Sequence, residues 1–286
     1  WNDRVALMGP SAANRLAARW RPRAVEVGDL MADLSESARE DDPLPEGGPW
    51  VALLPGSKRA KLQVGVPFLL ETADRLAALR PGCRFLLPVA PTTSVAELQA
   101  YAGSGNPVAR SYRTGVPLLD DGALITPAGT RILLLERHPA HGALSQCTLA
   151  LTTVGANTAE LGALALPMIV LLPTQHLHVM QAWDGWFGLL ARLPVLRRLL
   201  GVLLTAWRLR HRGFLAWPNI AAGRLVVPER VGAIEPAAIA AEACDWLDHP
   251  ERLRQMASEL GALRGQPGAV AALAALVRQL LPAGVM

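Results

Sequence analysis

The chain has 286 residues, 51% of them apolar and 18% charged, and a formal net charge of +4. That composition supports a buried core, excludes a disordered tail and leaves room for one large domain or two small ones. Cys83, Cys147 and Cys244 stand isolated without CxxC spacing, which suits a reducing compartment and argues against a disulfide framework or a zinc site.

Along the chain, residues 5–8 form a short apolar run, 11–20 read as a basic helix, and 24–27 as a strand. A Gly28-Asp29 turn then leads toward a helix. Residues 35–48 are acidic and rich in Pro and Gly, the best linker in the sequence. Beyond it the pattern alternates. Strands are expected at 50–54, 84–89, 148–152 and 168–172, with helices at 62–79, 94–101, 138–146 and 158–165. Residues 123–136 read as two strands about a Pro-Ala-Gly turn. From Pro236 onward the chain is helical, broken at His249-Pro250 and again at Gly265-Gln266-Pro267. Alternating strands and helices predict an α/β fold with a parallel sheet covered on both faces.

Three blocks carry candidate chemistry. Pro55-Gly56-Ser57-Lys58 ends a strand and opens a helix. A glycine there lets backbone N–H groups approach an anion, and Lys58 adds a mobile positive charge. The P-loop spacing is absent, so the same residues also read as an ordinary strand-to-helix turn with a solvated lysine. Gly155-Ala156-Asn157, followed by Glu160, repeats the strand, small-residue turn and helix. Glu160 could accept hydrogen bonds from a ribose diol, or simply suit the helix dipole as a first-turn carboxylate. The third block, Trp217-Pro-Asn219-Ile-Ala-Ala-Gly-Arg224, offers an amide and a guanidinium. Arg224 either holds a phosphate or pairs with Glu229. His176-x-His178 would put its rings on different sides of a helix, and His138-x-x-His141 lacks an acidic third ligand nearby. These read as solvated or core-edge histidines, and no metal site is expected.

In that order and at those separations, the three blocks resemble lipid A disaccharide synthase, a glycosyltransferase of the two-Rossmann-domain (GT-B) type. The resemblance runs from about Val27 to about Leu281. It implies that residues 1–48 are the tail of an acceptor-side domain plus linker, and that 49–286 form the nucleotide-sugar-binding domain with a helical insertion at 175–217. It also implies that the chain, which starts at Trp1, is a piece of a longer protein whose catalytic base lies in the part before it. Gly56, Ser57, Lys58, Gly155, Ala156, Asn157, Glu160, Asn219 and Arg224 then become the expected nucleotide-sugar-binding residues. Departures are Lys58 for the family Arg, Ala216-Trp217 for Ser-Leu and, in the alignment that keeps the Gly-to-Glu separation, Ala156 for Thr. The other alignment makes Thr158 the family Thr and sets Glu160 one residue early. Lysine keeps the charge but cannot make the bidentate fork of arginine.

The implied reaction transfers diacylglucosamine from its UDP-linked donor to a lipid-linked acceptor, diacylglucosamine 1-phosphate. UDP is released, and neither a metal nor another cofactor takes part. Another sugar-nucleotide enzyme of the same fold, or a non-catalytic membrane-associated paralogue, remains an open alternative. A homodimer is open as well, and no nucleic acid is expected. The stretch 183–217 sets six arginines among Trp, Phe and Leu against one acid, Asp184. It is broken by Pro194 and by charges before it reaches the length of a membrane span. It is expected to lie on the cytoplasmic face of the cell membrane as an interfacial helix pair, the alternative being a helical insertion packed on its own domain.

Overall fold

The structure is a computed structural model that describes residues 3–8, 16–34, 43–112, 115–176 and 213–281. Two sheets organise them. The first is small: β1 (Val5–Leu7) pairs in parallel with β2 (Ala24–Glu26). Of the basic helix expected at 11–20, residues 11–15 lie outside the described residues, and the rest begins a 3-10 helix at Ala18–Arg23. Pro22 inside that segment removes a backbone donor, which suits a short 3-10 turn better than an α-helix.

The second sheet has eight strands. They are β3 (Trp50–Leu54), β4 (Arg84–Pro88), β5 (Leu118–Asp120), β6 (Ala123–Ile125), β7 (Arg131–Leu135), β8 (Leu149–Thr153), β9 (Met168–Pro173) and β10 (Glu229–Gly232). Their spatial order is β10-β9-β8-β3-β4-β7-β6-β5. The six strands from β10 to β7 run parallel, while the β6 hairpin is antiparallel to both of its neighbours. The chain leaves β3 toward β4 and later returns to its other side as β8. The topological switch point of the sheet therefore lies between β3 and β8.

Alternation along each central strand feeds two cores. Val51, Leu53, Phe85, Leu87, Leu149 and Leu151 face one side. There they pack under α1 (Arg59–Leu79) and α7 (Pro236–Asp248). Ala52, Leu54, Leu86, Ala150, Met168 and Val170 face the other. Covering them are α4 (His141–Leu144), α5 (Asn157–Ala163), α6 (Trp217–Ala222) and α8 (Pro250–Leu263). Residues i and i+2 of a strand share a face, so buried apolar runs serve both layers at once. Two further helices, α2 (Val95–Ala102) and α3 (Pro107–Tyr112), pack beside α1.

Pro67 sits inside α1 and would leave the carbonyl of Gln63 without its helical donor. The Asn106 side chain supplies the replacement, donating to that oxygen at 2.7 Å. The helix therefore runs on through the proline.

Several expectations are corrected here. The Pro-Asn block forms a helix, α6, and β10 follows it where no strand was expected. The segment 43–48 is anchored as well as irregular. The Leu44 N–H donates to Gln146 at 2.9 Å, and the Trp50 indole donates to the Pro45 carbonyl at 3.3 Å. Residues 35–42 of the linker lie outside the described residues.

The last helix, α9 (Ala269–Leu280), turns back to the first unit. The Asp33 carboxylate accepts from the N–H groups of Gly268 and Val270, the latter at 2.6 Å, and those bonds hold its pKa below the ordinary value. This carboxylate closes the N-terminus of α9 from more than two hundred residues away in sequence.

Candidate functional site

A cavity of about 470 Å³ opens at the carboxyl end of the large sheet, beside the switch point. Open α/β sheets bind ligands in this place, because neighbouring loops diverge there and leave a crevice. Gly56 and Ser57 line it from the turn after β3, and Asn157 and Glu160 from the start of α5. The cis peptide His138–Pro139 borders it on the side of α4. The first four of these are residues expected at the site from the sequence, and the fold brings them together.

Gly56 has φ of +97°, a conformation that side-chain-bearing residues rarely adopt. A Cβ there would also come within 3.0 Å of the Lys61 side chain and 3.2 Å of the Thr153 hydroxyl. The turn is therefore fixed by backbone geometry and crowding together. Lys58 follows it as the N-cap residue of α1, with its side chain exposed.

Glu160 has a partner that the sequence did not suggest. Its Oε1 lies 3.0 Å from Nε2 of His141, whose side chain is only 12% exposed. Nδ1 of the same ring is buried and has no hydrogen-bond partner among the described residues. The ring therefore donates through Nε2, because a proton on Nδ1 would be buried without an acceptor. His141, expected as a solvated or core-edge histidine rather than a metal ligand, holds a carboxylate. Nothing in the sequence links positions 141 and 160, since they meet only when β8 carries α5 past α4.

Lys61 is the second residue missed. Its ammonium donates to the Val154 carbonyl at 2.6 Å, so it joins the turn after β3 to the turn after β8. Burial, and secondarily the charge of Lys58, lower its pKa. A Cβ at Gly155 would stand 2.6 Å from that ammonium, which explains the glycine by close approach. Ala156 is the N-cap residue of α5 and contributes no side-chain cap. A compositional clue was present: Lys58 and Lys61 are the only lysines in the chain, against 26 arginines.

Asn219 and Arg224 stand apart from the cavity. Asn219 is fully buried. Its Oδ1 accepts from the N–H groups of Val226 (2.7 Å) and Val227 (2.9 Å), and its Nδ2 donates to the Val227 carbonyl (2.9 Å) and to Glu229 (2.7 Å). All four hydrogen-bonding positions of the amide are thus taken within its own segment. Glu229 in turn accepts from the N–H groups of Leu215 and Ala216 at the start of α6. Arg224 pairs at the surface with Glu259 at 2.7 Å, not with Glu229. The bond lowers the pKa of Glu259. One link runs from this segment toward the cavity wall. The Thr158 hydroxyl donates to the Gly155 carbonyl at 2.9 Å and accepts from the Trp217 N–H at 3.1 Å.

Among the described residues no cluster of His, Cys, Asp and Glu could hold a metal ion. Of the insertion expected at 175–217, and of its membrane-contact stretch 183–217, residues 177–212 lie outside the described residues.

No family model matches the chain. Curated relatives do. The chain is 28% identical over 257 residues to lipid-A-disaccharide synthase of Myxococcus xanthus, covering 88% of this chain and 54% of the relative. It is 30% identical over 242 residues to the Thiobacillus denitrificans protein of the same name, covering 82% and 51%. The chain is a relative of lipid-A-disaccharide synthase. It spans about half the length of the curated relatives it matches. Among solved structures, the S. aureus MnaA–UDP co-structure superposes with a TM-score of 0.52 at 11% identity, covering 94% of this chain and 58% of that one. Likeness at that identity shows the fold alone, which is α/β of the GT-B type.

Proposed function

We infer that this chain forms the nucleotide-sugar side of a lipid-A-disaccharide-synthase-like hexosyltransferase. The observation that carries the reading is the cavity at the switch point, lined by Gly56, Ser57, Asn157 and Glu160, in a relative of that synthase. The proposed donor is UDP-linked 2,3-diacylglucosamine, and the acceptor is the lipid-linked 2,3-diacylglucosamine 1-phosphate. Glu160, oriented by His141, accepts from the ribose hydroxyls. Gly56 and Ser57 offer N–H groups to the diphosphate, and Lys58 offsets the charge that develops on departing UDP.

Attack by the acceptor hydroxyl also needs a base. None is assigned among these residues, so the 286-residue chain alone is expected to be inactive. Membrane attachment through 183–217 at the cytoplasmic face belongs to the same reading, since both substrates carry acyl chains. Six arginines there would meet anionic headgroups, and the indole rings would sit at the headgroup boundary. Among the described residues no helix is long and apolar enough to cross a membrane.

Calorimetric titration with UDP tests the nucleotide site. Lys58→Ala is expected to weaken binding about tenfold, the scale of one charge-assisted hydrogen bond. Wild-type protein that fails to bind UDP would remove the proposal. Co-sedimentation with anionic vesicles tests the attachment: the protein should pellet, less so in high salt, and Trp186, Leu189, Leu190 and Leu193 changed together to Ser should release it.

A further inference from the structure

We propose that Lys61 is a positioning residue that sets the distance between the two walls of the cavity, so that one ligand can touch both. One wall is the turn carrying Gly56 and Ser57, and the other carries Asn157 and Glu160. Lys61 spans them, beside the Thr153 hydroxyl, which donates to the Pro55 carbonyl at 3.2 Å. Its stem packs against Gly56, where an added Cβ would lie 3.0 Å from Cδ. Its ammonium ends on the Val154 carbonyl, directly beneath Gly155. Lys61 thus meets a glycine on each wall, where an added Cβ would crowd its side chain, and its anchor on the second wall is the Val154 carbonyl. The second wall continues rigidly from that anchor: the amides of Thr158, Ala159 and Glu160 bond back to Gly155 and Ala156. Holding Val154 therefore holds Glu160.

This inference rests on the nucleotide reading for its ligand, since UDP carries the ribose and the diphosphate that the two walls would take. The linkage predicts a particular pattern. A ligand that touches one wall is indifferent to their spacing, whereas a ligand that touches both gains from the walls being fixed in advance. Lys61→Met keeps the length of the stem and removes the charged end.

Titrations of wild type, Lys61→Met and Lys61→Arg with UDP, uridine and pyrophosphate read this pattern. Lys61→Met should weaken UDP about tenfold and leave uridine and pyrophosphate within twofold, and Lys61→Arg should restore much of the loss. Equal weakening of all three ligands would mean general disruption and would overturn the proposal, as would unchanged UDP affinity. Amide hydrogen exchange of the unliganded protein supplies a test that needs no ligand. The amides of Val154 and of 158–160 should exchange faster in Lys61→Met while those of the central strands do not. Unchanged exchange at those amides overturns the linkage. Faster exchange in a protein that binds no UDP leaves the linkage standing and removes the nucleotide reading.

Discussion

The cavity walls at 55–61 and 154–160 and the segment 215–229 both carry the family resemblance, and they use polar groups differently. In the walls, Ser57, Asn157 and Glu160 face a cavity, and Lys58 is exposed beside it. In 215–229, both hydrogens and both lone-pair positions of Asn219 are bonded to the protein, and the Glu229 carboxylate closes the start of α6. Polar groups turned toward a cavity are placed for a ligand, whereas buried and fully bonded ones fix the backbone. The walls therefore answer for binding, and the buried segment for stability and for the seat of α5 through Thr158 and Trp217.

The largest effect should separate the two regions outright. Asn219→Ala strands the N–H groups of Val226 and Val227, and Glu229→Ala those of Leu215 and Ala216. Each is expected to cost about 3–5 kcal/mol, read as a lower urea midpoint, with UDP affinity of the folded fraction unchanged. An Asn219→Ala protein of wild-type stability that no longer binds UDP would move this residue into the site.

A smaller effect is expected in the walls, and of the opposite kind. Glu160→Ala should reduce UDP affinity about tenfold while changing unfolding stability by no more than about 1 kcal/mol. His141→Ala should give part of that loss, because it frees the carboxylate without removing it. In the double variant the two losses should fail to add, since both act through one contact. Full additivity would mean that His141 acts on something other than Glu160.

The smallest effect belongs to Arg224. It lies on the same sequence block as Asn219, yet it makes an exposed pair with Glu259. Arg224→Ala is expected to cost about 0–1 kcal/mol and to leave UDP binding intact. The folded pKa of Glu259 is lowered from 4.5, chiefly by Arg224 and then by Gln255. The pair's contribution is therefore present above pH 4.5 and is lost as pH falls through the lowered value. The difference in urea midpoint between wild type and Arg224→Ala should shrink on acidification below 4.5. A difference that grows instead would reverse the sign assigned here.

Much of this molecule was legible in its residues. Apolar runs at 50–54, 84–89 and 168–172 became central strands because runs buried on both faces leave a strong local pattern. β10 was not legible: Glu-Arg-Val-Gly has one strong strand former, and it extends only because β9 offers an open edge. Helix α6 was hidden by its proline, which is tolerated in the first turn, and by its length of only six residues.

The sequence by itself determined the class of the fold, the two turns that open onto the cavity and the kinship with lipid-A-disaccharide synthase. These rest on local patterns and on short blocks whose spacing is written in the chain. Only the tertiary structure decided what each polar side chain faces. It drew Asn219 into a closed network, sent Arg224 to Glu259, placed His141 against Glu160 and laid Lys61 between two glycines. The partners of Arg224, His141 and Lys61 lie 35, 19 and 93 residues away. No pattern of short range encodes such contacts, because they exist only once the sheet has set the order of its strands.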